Sequence, residues 1–400
     1  MLKKYKLYQF FIITIFASTF LGYFFNSGII AYGPLIFLLL CITIQEMTGL
    51  ERLPVKDWVA VLIWIPYVAW AGLYYILNPF EGRYLTTHFL VIITIPFIVL
   101  SFLRLSNNRQ FDYNQFIYKL VLYFLVAETI ICIGQFMTYT IGIGLPVTEE
   151  QAKTLMVAGT FANSNDLGGV VLILTFIFSQ IEKYINKNTL IIWILILILL
   201  LITASRSALF VAFFTFIITR GFGLKKILSY TVVSVAAYFI ISILFSMTDI
   251  EAVNRSVTRL ESIFTILEEG ASVDNSITLR LDSYLHFIKN ITELGLGSGE
   301  VNNYFKYANN AIFDTSLLLQ NPHSLLVEIG YWLGYPGLIF FITAMVYLFR
   351  YSESKVLFFI VLITSTLIPS SILGNLTYFL LIMCALLLSP KIENNSKILI

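Results

Sequence analysis

Three separated side chains carry the chemistry this sequence offers: Arg206, Arg280 and His323. Arg206 interrupts a long apolar run, in Thr203-Ala-Ser-Arg-Ser-Ala-Leu209. Arg280 lies in a long polar region, 246–322. His323 stands where that region meets the next apolar span, in Asn321-Pro-His-Ser-Leu-Leu-Val-Glu-Ile-Gly-Tyr-Trp-Leu-Gly-Tyr-Pro-Gly337. An arginine at membrane depth is costly and marks function by default. Two guanidinium forks suit a diphosphate, because each binds it bidentately. A histidine with a pKa of about 6.5 can take a proton from a hydroxyl at neutral pH. Together these types point to glycosyl transfer from a lipid-diphosphate sugar, although three separated residues do not by themselves make a site.

The elements that position them belong to a membrane. The 400 residues are 58% hydrophobic and 12% charged, with mean hydropathy +0.86. A soluble domain carries about 25% charged residues. Apolar runs long enough to cross a bilayer fall near 7–25, 28–45, 58–77, 86–103, 115–140, 165–181, 189–204, 207–221, 227–245, 323–349, 356–371 and 374–389. The chain reads as an all-α polytopic membrane protein of about twelve transmembrane helices, forming a single membrane domain over 1–400, with one large external loop at 246–322. Lys3, Lys4 and Lys6 precede the first run, which reads as an uncleaved signal anchor.

Charge placement gives the orientation. With both termini in the cytoplasm, the inside loops hold eleven basic residues and the tails five, sixteen in all, against eight outside. Five of the eight lie in the long loop, where the rule has little force. Residues 189–219 are the weak junction. One helix of that length would span about 46 Å, too long for a core of about 30 Å. A tight hairpin or broken helix with Arg206 near its outer tip is expected.

Gly159-Thr-Phe-Ala-Asn-Ser-Asn-Asp-Leu-Gly-Gly169 forms a turn-rich entry into the sixth span, an irregular backbone expected at the outer surface. Asn163 and Asn165 there are candidate substrate contacts; an ordinary helix-start turn, with Asn165 or Asp166 near the cap, gives the same pattern. The long loop predicts helices over 251–269 and 276–293, with Ile277, Leu281, Tyr284, Ile288 and Ile291 on one apolar face of the second. Both helices are expected along the membrane surface. Arg280 shares that apolar face and either snorkels or is held toward a buried anion. Arg255 and Arg259, four apart, would widen a positive patch or simply form a solvated face. Glu328 is a candidate substrate contact or a buried helix carboxyl. His88 and Glu128 read as packed, satisfied polar groups within spans, and His286 as a surface histidine. Cys41, Cys132 and Cys384 read as packed small hydrophobes.

Four stretches together resemble the O-antigen ligase and polymerase family. They are Thr203 to Leu209, Arg280 with the later Gly295-Leu-Gly-Ser-Gly299, Asn321-Pro-His323 with Glu328 and Gly330, and the upstream Gly159 to Asn165. The match covers roughly 155–345, and the stretch 1–150 carries no such motif. Ser324 stands where the family often has asparagine. The resemblance implies a C-type membrane glycosyltransferase without cofactor or metal. Arg206 and Arg280 would bind the diphosphate and stabilise it as it leaves, and His323 would activate an acceptor hydroxyl, inverting the anomeric carbon. The sequence agrees in lacking an Asp-x-Asp pair or a ligand-spaced His/Cys/Asp cluster.

The expected donor is a polyprenyl-diphosphate-linked oligosaccharide, used at the extracytoplasmic face of a bacterial inner or plasma membrane. The acceptor would be another repeat unit, making the protein a polymerase of a surface or capsular polysaccharide, or a lipid or protein, making it a ligase. Partners would be membrane lipid, a flippase and a chain-length regulator, and not nucleic acid. The rival from another class is a transporter such as a flippase for the same lipid. Against it, no paired broken helices appear in matching halves.

Overall fold

The computed structural model describes residues 2–25, 27–48, 53–77, 82–108, 111–147, 157–161, 163–182, 189–203, 283–297 and 324–351, with the single positions 185, 205, 208, 209, 211, 212, 215, 355, 358, 359, 362 and 363. Among these residues the regular elements are helical. They are α1 (Leu2–Phe25), α2 (Gly28–Met47), α3 (Val55–Leu62), α4 (Ile65–Leu77), α5 (Gly82–Asn107), α6 (Tyr113–Ile141), α7 (Ser164–Ile181), α8 (Leu190–Ile202) and α9 (Leu325–Tyr351). A short helical segment, 283–289, leads into a 3-10 turn at Ile291–Glu293. Five helical stretches are long and apolar enough to cross a membrane, and three apolar helices are shorter. Eight of the twelve expected spans therefore coincide with described helices. The expected spans 227–245 and 374–389, and the loop helix 251–269, lie outside the described residues. Only scattered positions of 207–221 and 356–371 lie inside them.

The chain divides into two compact units, Met1–Ile117 with Thr278–Ile400, and Tyr118–Ile277. In the first, α5 packs on α1, α2, α3 and α4, while α9 packs on α3 and α4. The span expected as one helix over 58–77 is two in line, α3 and α4. Pro66, the second residue of α4, has no N–H to give and its ring crowds the carbonyl four residues back, so the ladder breaks just before it.

One end of this unit is polar. Arg104 of α5 donates from Nε to Glu46 Oε1 at 2.9 Å and from a terminal nitrogen to Oε2 at 2.5 Å. Tyr8 of α1 donates to the same carboxylate. Asn107 donates to Asp57 at 2.7 Å, and Tyr347 of α9 to the Lys56 carbonyl at 3.1 Å. All these residues lie at or near helix ends on one side of the unit. Arg104, counted above with the inside-loop charges, is instead 5% exposed and ion-paired.

The second unit holds most of α6, with α7 and α8 packed together. Phe178 meets Trp193 edge-on at 5.6 Å, and Glu182 accepts from Thr189 and from Trp193 Nε1. These contacts close the α7–α8 hairpin at one end. At the other, Thr203 and Ser205 are not helical, and helix resumes at Ala208, where Leu209 N donates to Ser205 O at 2.9 Å. The expected break in 189–219 is therefore present.

Candidate functional site

Of the candidate residues, Asn163, Asn165 and Glu328 are among the described ones. Arg206, Arg255, Arg259, Arg280 and His323 lie outside them, as does the side chain of His88. Their neighbours Ser205, Ser283 and Ser324 are buried, so the motifs can be followed up to the chemical residues from either side.

In the second unit the chain doubles back as soon as α6 ends. Gly142 and Gly159 take positive φ, +71° and +61°. Leu145 N donates to Gly134 O at 3.2 Å, and Thr138 donates to Leu145 O at 2.7 Å. Further along, Gln135 clasps the backbone of Gly159, donating to its carbonyl at 2.7 Å and accepting from its N–H at 2.9 Å. Glu128 accepts from the Thr160 hydroxyl at 2.5 Å and from its N–H at 3.1 Å. Glu128 and Gln135 both stand well before the end of α6 at Ile141. At the helical rise per residue, the turn at 157–161 therefore lies about 10–20 Å back along α6 from its C-terminal end. Irregular backbone at such depth is tolerated only where protein satisfies it. That is the work of Glu128 and Gln135, and the expectation of a packed, satisfied Glu128 is borne out.

This turn delivers α7 to the helix break. Asn163 caps α7, its side chain accepting from Asn165 N at 2.8 Å. Asn165 and Asp166 stand in the first turn beside that cap, as the helix-start reading expects. A Cβ on Gly168 would lie 2.4 Å from Ser205 Oγ and 3.4 Å from Ala208 Cβ. The absent side chain lets the serine that precedes Arg206 sit against the first turns of α7. The structure therefore brings together two of the four resembling stretches, Gly159–Gly169 and Thr203–Leu209.

In the first unit, a kink in α9 does the same for the other two. Gly334 adopts φ +63° and ψ −158°, and Pro336 follows. The kink takes Leu333 O and Tyr335 N out of the helix ladder. Trp70 Nε1 of α4 donates to Leu333 O at 2.9 Å, and Tyr335 N donates to Gly295 O at 3.0 Å. Tyr74 donates to Leu296 O and Tyr335 Oη to Ile291 O. A Cβ on Gly334 would lie 2.4 Å from Gly297 N, and one on Gly297 would lie 2.4 Å from Trp332 O. The glycine-rich turn after Arg280 and the glycines after His323 are thus two halves of one backbone-to-backbone clasp. Gly330 leaves room for the Phe287 ring in the same way.

Gly297 and Gly295 separate space from conformation. Gly297 has φ +91° and no room for a side chain, whereas Gly295 has φ +52° and nothing nearer than 3.9 Å. Gly295→Ala should cost about 1–2 kcal/mol for its left-handed backbone. Gly297→Ala meets backbone as well and is expected to lower the detergent unfolding temperature clearly further, with faster proteolysis of the loop. Equal losses would show that the turn does not dock as described.

The apolar face expected for segment 283–297 is turned outward, as a helix along the membrane surface requires. The segment's buried face is Ser283, His286, Asn290 and Leu294, while Leu285 is 50% and Ile288 62% exposed. His286, expected at the surface, is 7% exposed; its Nδ1 lies 2.6 Å from Tyr331 Oη. A segment with polar groups inward and leucine and isoleucine outward suits a lipid boundary. The roles of Trp70, Tyr74, His286 and Tyr331 are not visible in the sequence, which has no signal linking α4 to a loop so far along the chain.

Fold and clasp together define a polytopic helical membrane protein in which segment 283–297 is stapled to α9. Within the chain, residues 190–342 match the family model described as O-antigen ligase, so this segment is similar to that family. That match takes in the Arg206 break, Arg280, the glycine turn and His323, but not the Gly159 turn. No curated protein and no solved structure matches the chain.

Proposed function

We propose that this membrane glycan-transfer protein is a polymerase: a C-type glycosyltransferase joining polyprenyl-diphosphate-linked oligosaccharide repeats into a surface polysaccharide, on the extracytoplasmic side of a bacterial inner membrane. The carrying observation is the clasp between the turn that follows Arg280 and the helix that follows His323, inside the matched family segment. In this reading Arg206 and Arg280 hold the diphosphate, with Arg255 and Arg259 adding positive charge beside it. Asn163, Asn165 and Glu328 line the substrate path. His323 deprotonates the acceptor hydroxyl, which attacks the anomeric carbon as the diphosphate leaves from the opposite face. No metal is needed, since the guanidinium groups carry the leaving-group charge. A flippase would supply the donor and a chain-length regulator would attend the product.

The test is elongation of purified lipid-linked repeats by the purified protein with EDTA present. Chains of many repeats support the polymerase. Transfer of single glycans only to a different lipid or protein replaces it with a ligase. Movement of the lipid across vesicles with no new glycosidic bond replaces the enzyme with a transporter.

A further inference from the structure

Among the described residues, His286 is a buried polar group that this reading leaves unused. We propose that His286 is a positioning residue for glycan transfer: through Tyr331 it fixes the loop segment that continues from Arg280 against the helix that continues from His323. The proposal rests on the function proposed above.

One tautomer satisfies the contacts of His286 together. Asn290 donates from its side-chain amide to His286 O at 3.0 Å, and the same nitrogen lies 3.2 Å from His286 Nε2. An amide nitrogen only donates, so Nε2 accepts and the ring proton sits on Nδ1. Nδ1–H then donates to Tyr331 Oη at 2.6 Å. The rings meet edge-on at 6.0 Å, and Phe287 meets the same tyrosine at 5.3 Å. All three polar residues are buried.

An apolar face would hold this segment more cheaply, because burying an imidazole and an amide carries a desolvation cost. It would not fix the rotation of a segment whose outer side is already apolar. A hydrogen-bonded trio with one satisfied arrangement does fix it. His286 follows closely on Arg280 in the chain, as Tyr331 does on His323. A slip here therefore passes to both proposed groups, and a misplacement of about 1 Å can cost about 10²-fold in rate.

The experiment compares full-length His286→Ala, His286→Asn, His286→Gln, Tyr331→Phe and the His286→Ala/Tyr331→Phe double variant, in elongation of lipid-linked repeats and in thermal unfolding. The alanine and phenylalanine variants are expected to lose about 10–100-fold in kcat with KM for the acceptor little changed, and the double variant to be no worse than either single. Asparagine puts a donor where Nδ1 was and should restore most of the rate. Glutamine puts it near Nε2 and should not. Wild-type kcat in His286→Ala, with only a lower unfolding temperature, overturns the proposal and leaves the function standing. Rescue by glutamine but not asparagine overturns it too. If the wild type forms no glycosidic bond, the function itself fails and the role falls with it; coupling of the two substitutions in unfolding temperature then marks a structural bond alone.

Discussion

Replacement of His323 with alanine is expected to slow glycan transfer by about 10²–10⁴-fold, the usual worth of a positioned proton acceptor. The loss should fall on kcat, because the donor's diphosphate is held by other groups in the proposed site. Arg206→Ala and Arg280→Ala should differ in kind, weakening donor binding as well as leaving-group stabilisation. The measurement is initial rate against donor concentration for each variant, with detergent unfolding to show that each is folded. A transporter should tolerate the loss of His323 better than a glycosyltransferase deprived of its base. Wild-type lipid movement by His323→Ala, with no bond-forming activity in either protein, would end the enzyme reading.

The second large effect lies at the opposite end of the first unit. Arg104→Met should destabilise the protein by about 3 kcal/mol or more, since breaking a buried pair strands the remaining charge. Glu46 is 13% exposed and would keep only Tyr8 as a described partner among α1, α2 and α5. Glu46→Gln should act in the same direction. The double variant Glu46→Leu/Arg104→Met is expected to recover much of the loss, because replacing both partners removes the uncompensated charge. Unfolding midpoints of the four proteins decide the matter. Additive losses would mean that the pair contributes nothing as a pair.

Much of the helical layout is legible because a spanning helix announces itself by unbroken apolar length. The breaks are less so. Pro66 is visible, yet a proline near a helix start is well tolerated, and only the structure shows that the helix divides there. The helix interruption before Arg206 is expected from length alone, and it is found at Thr203 and Ser205. The polar residues inside spans are harder. Glu128 and Gln135 serve a backbone turn far downstream, and no local pattern says so. In the loop segment the outward apolar face is legible. The buried histidine on its other face is not, because no local pattern marks a polar face that turns inward. The glycines of Gly295–Gly299 and of 330–337 are recognisable as a family mark. Their physical reason, contact of one backbone with another, needs both strands of the clasp in view.

The spacing of polar contacts along α9 has a consequence for the membrane itself. Tyr331 stands at the clasp and Tyr347 at the opposite end. From the kink at Gly334 to Tyr347 the helical rise is about 20 Å along the axis. That is shorter than the roughly 30 Å hydrocarbon core of an average bilayer. A thicker membrane must therefore thin around this protein or strain the clasp, at a fraction of a kcal/mol for each ångström of mismatch. The acyl-chain length of the surrounding lipids thus becomes a variable acting on the same joint that holds the loop beside its helix.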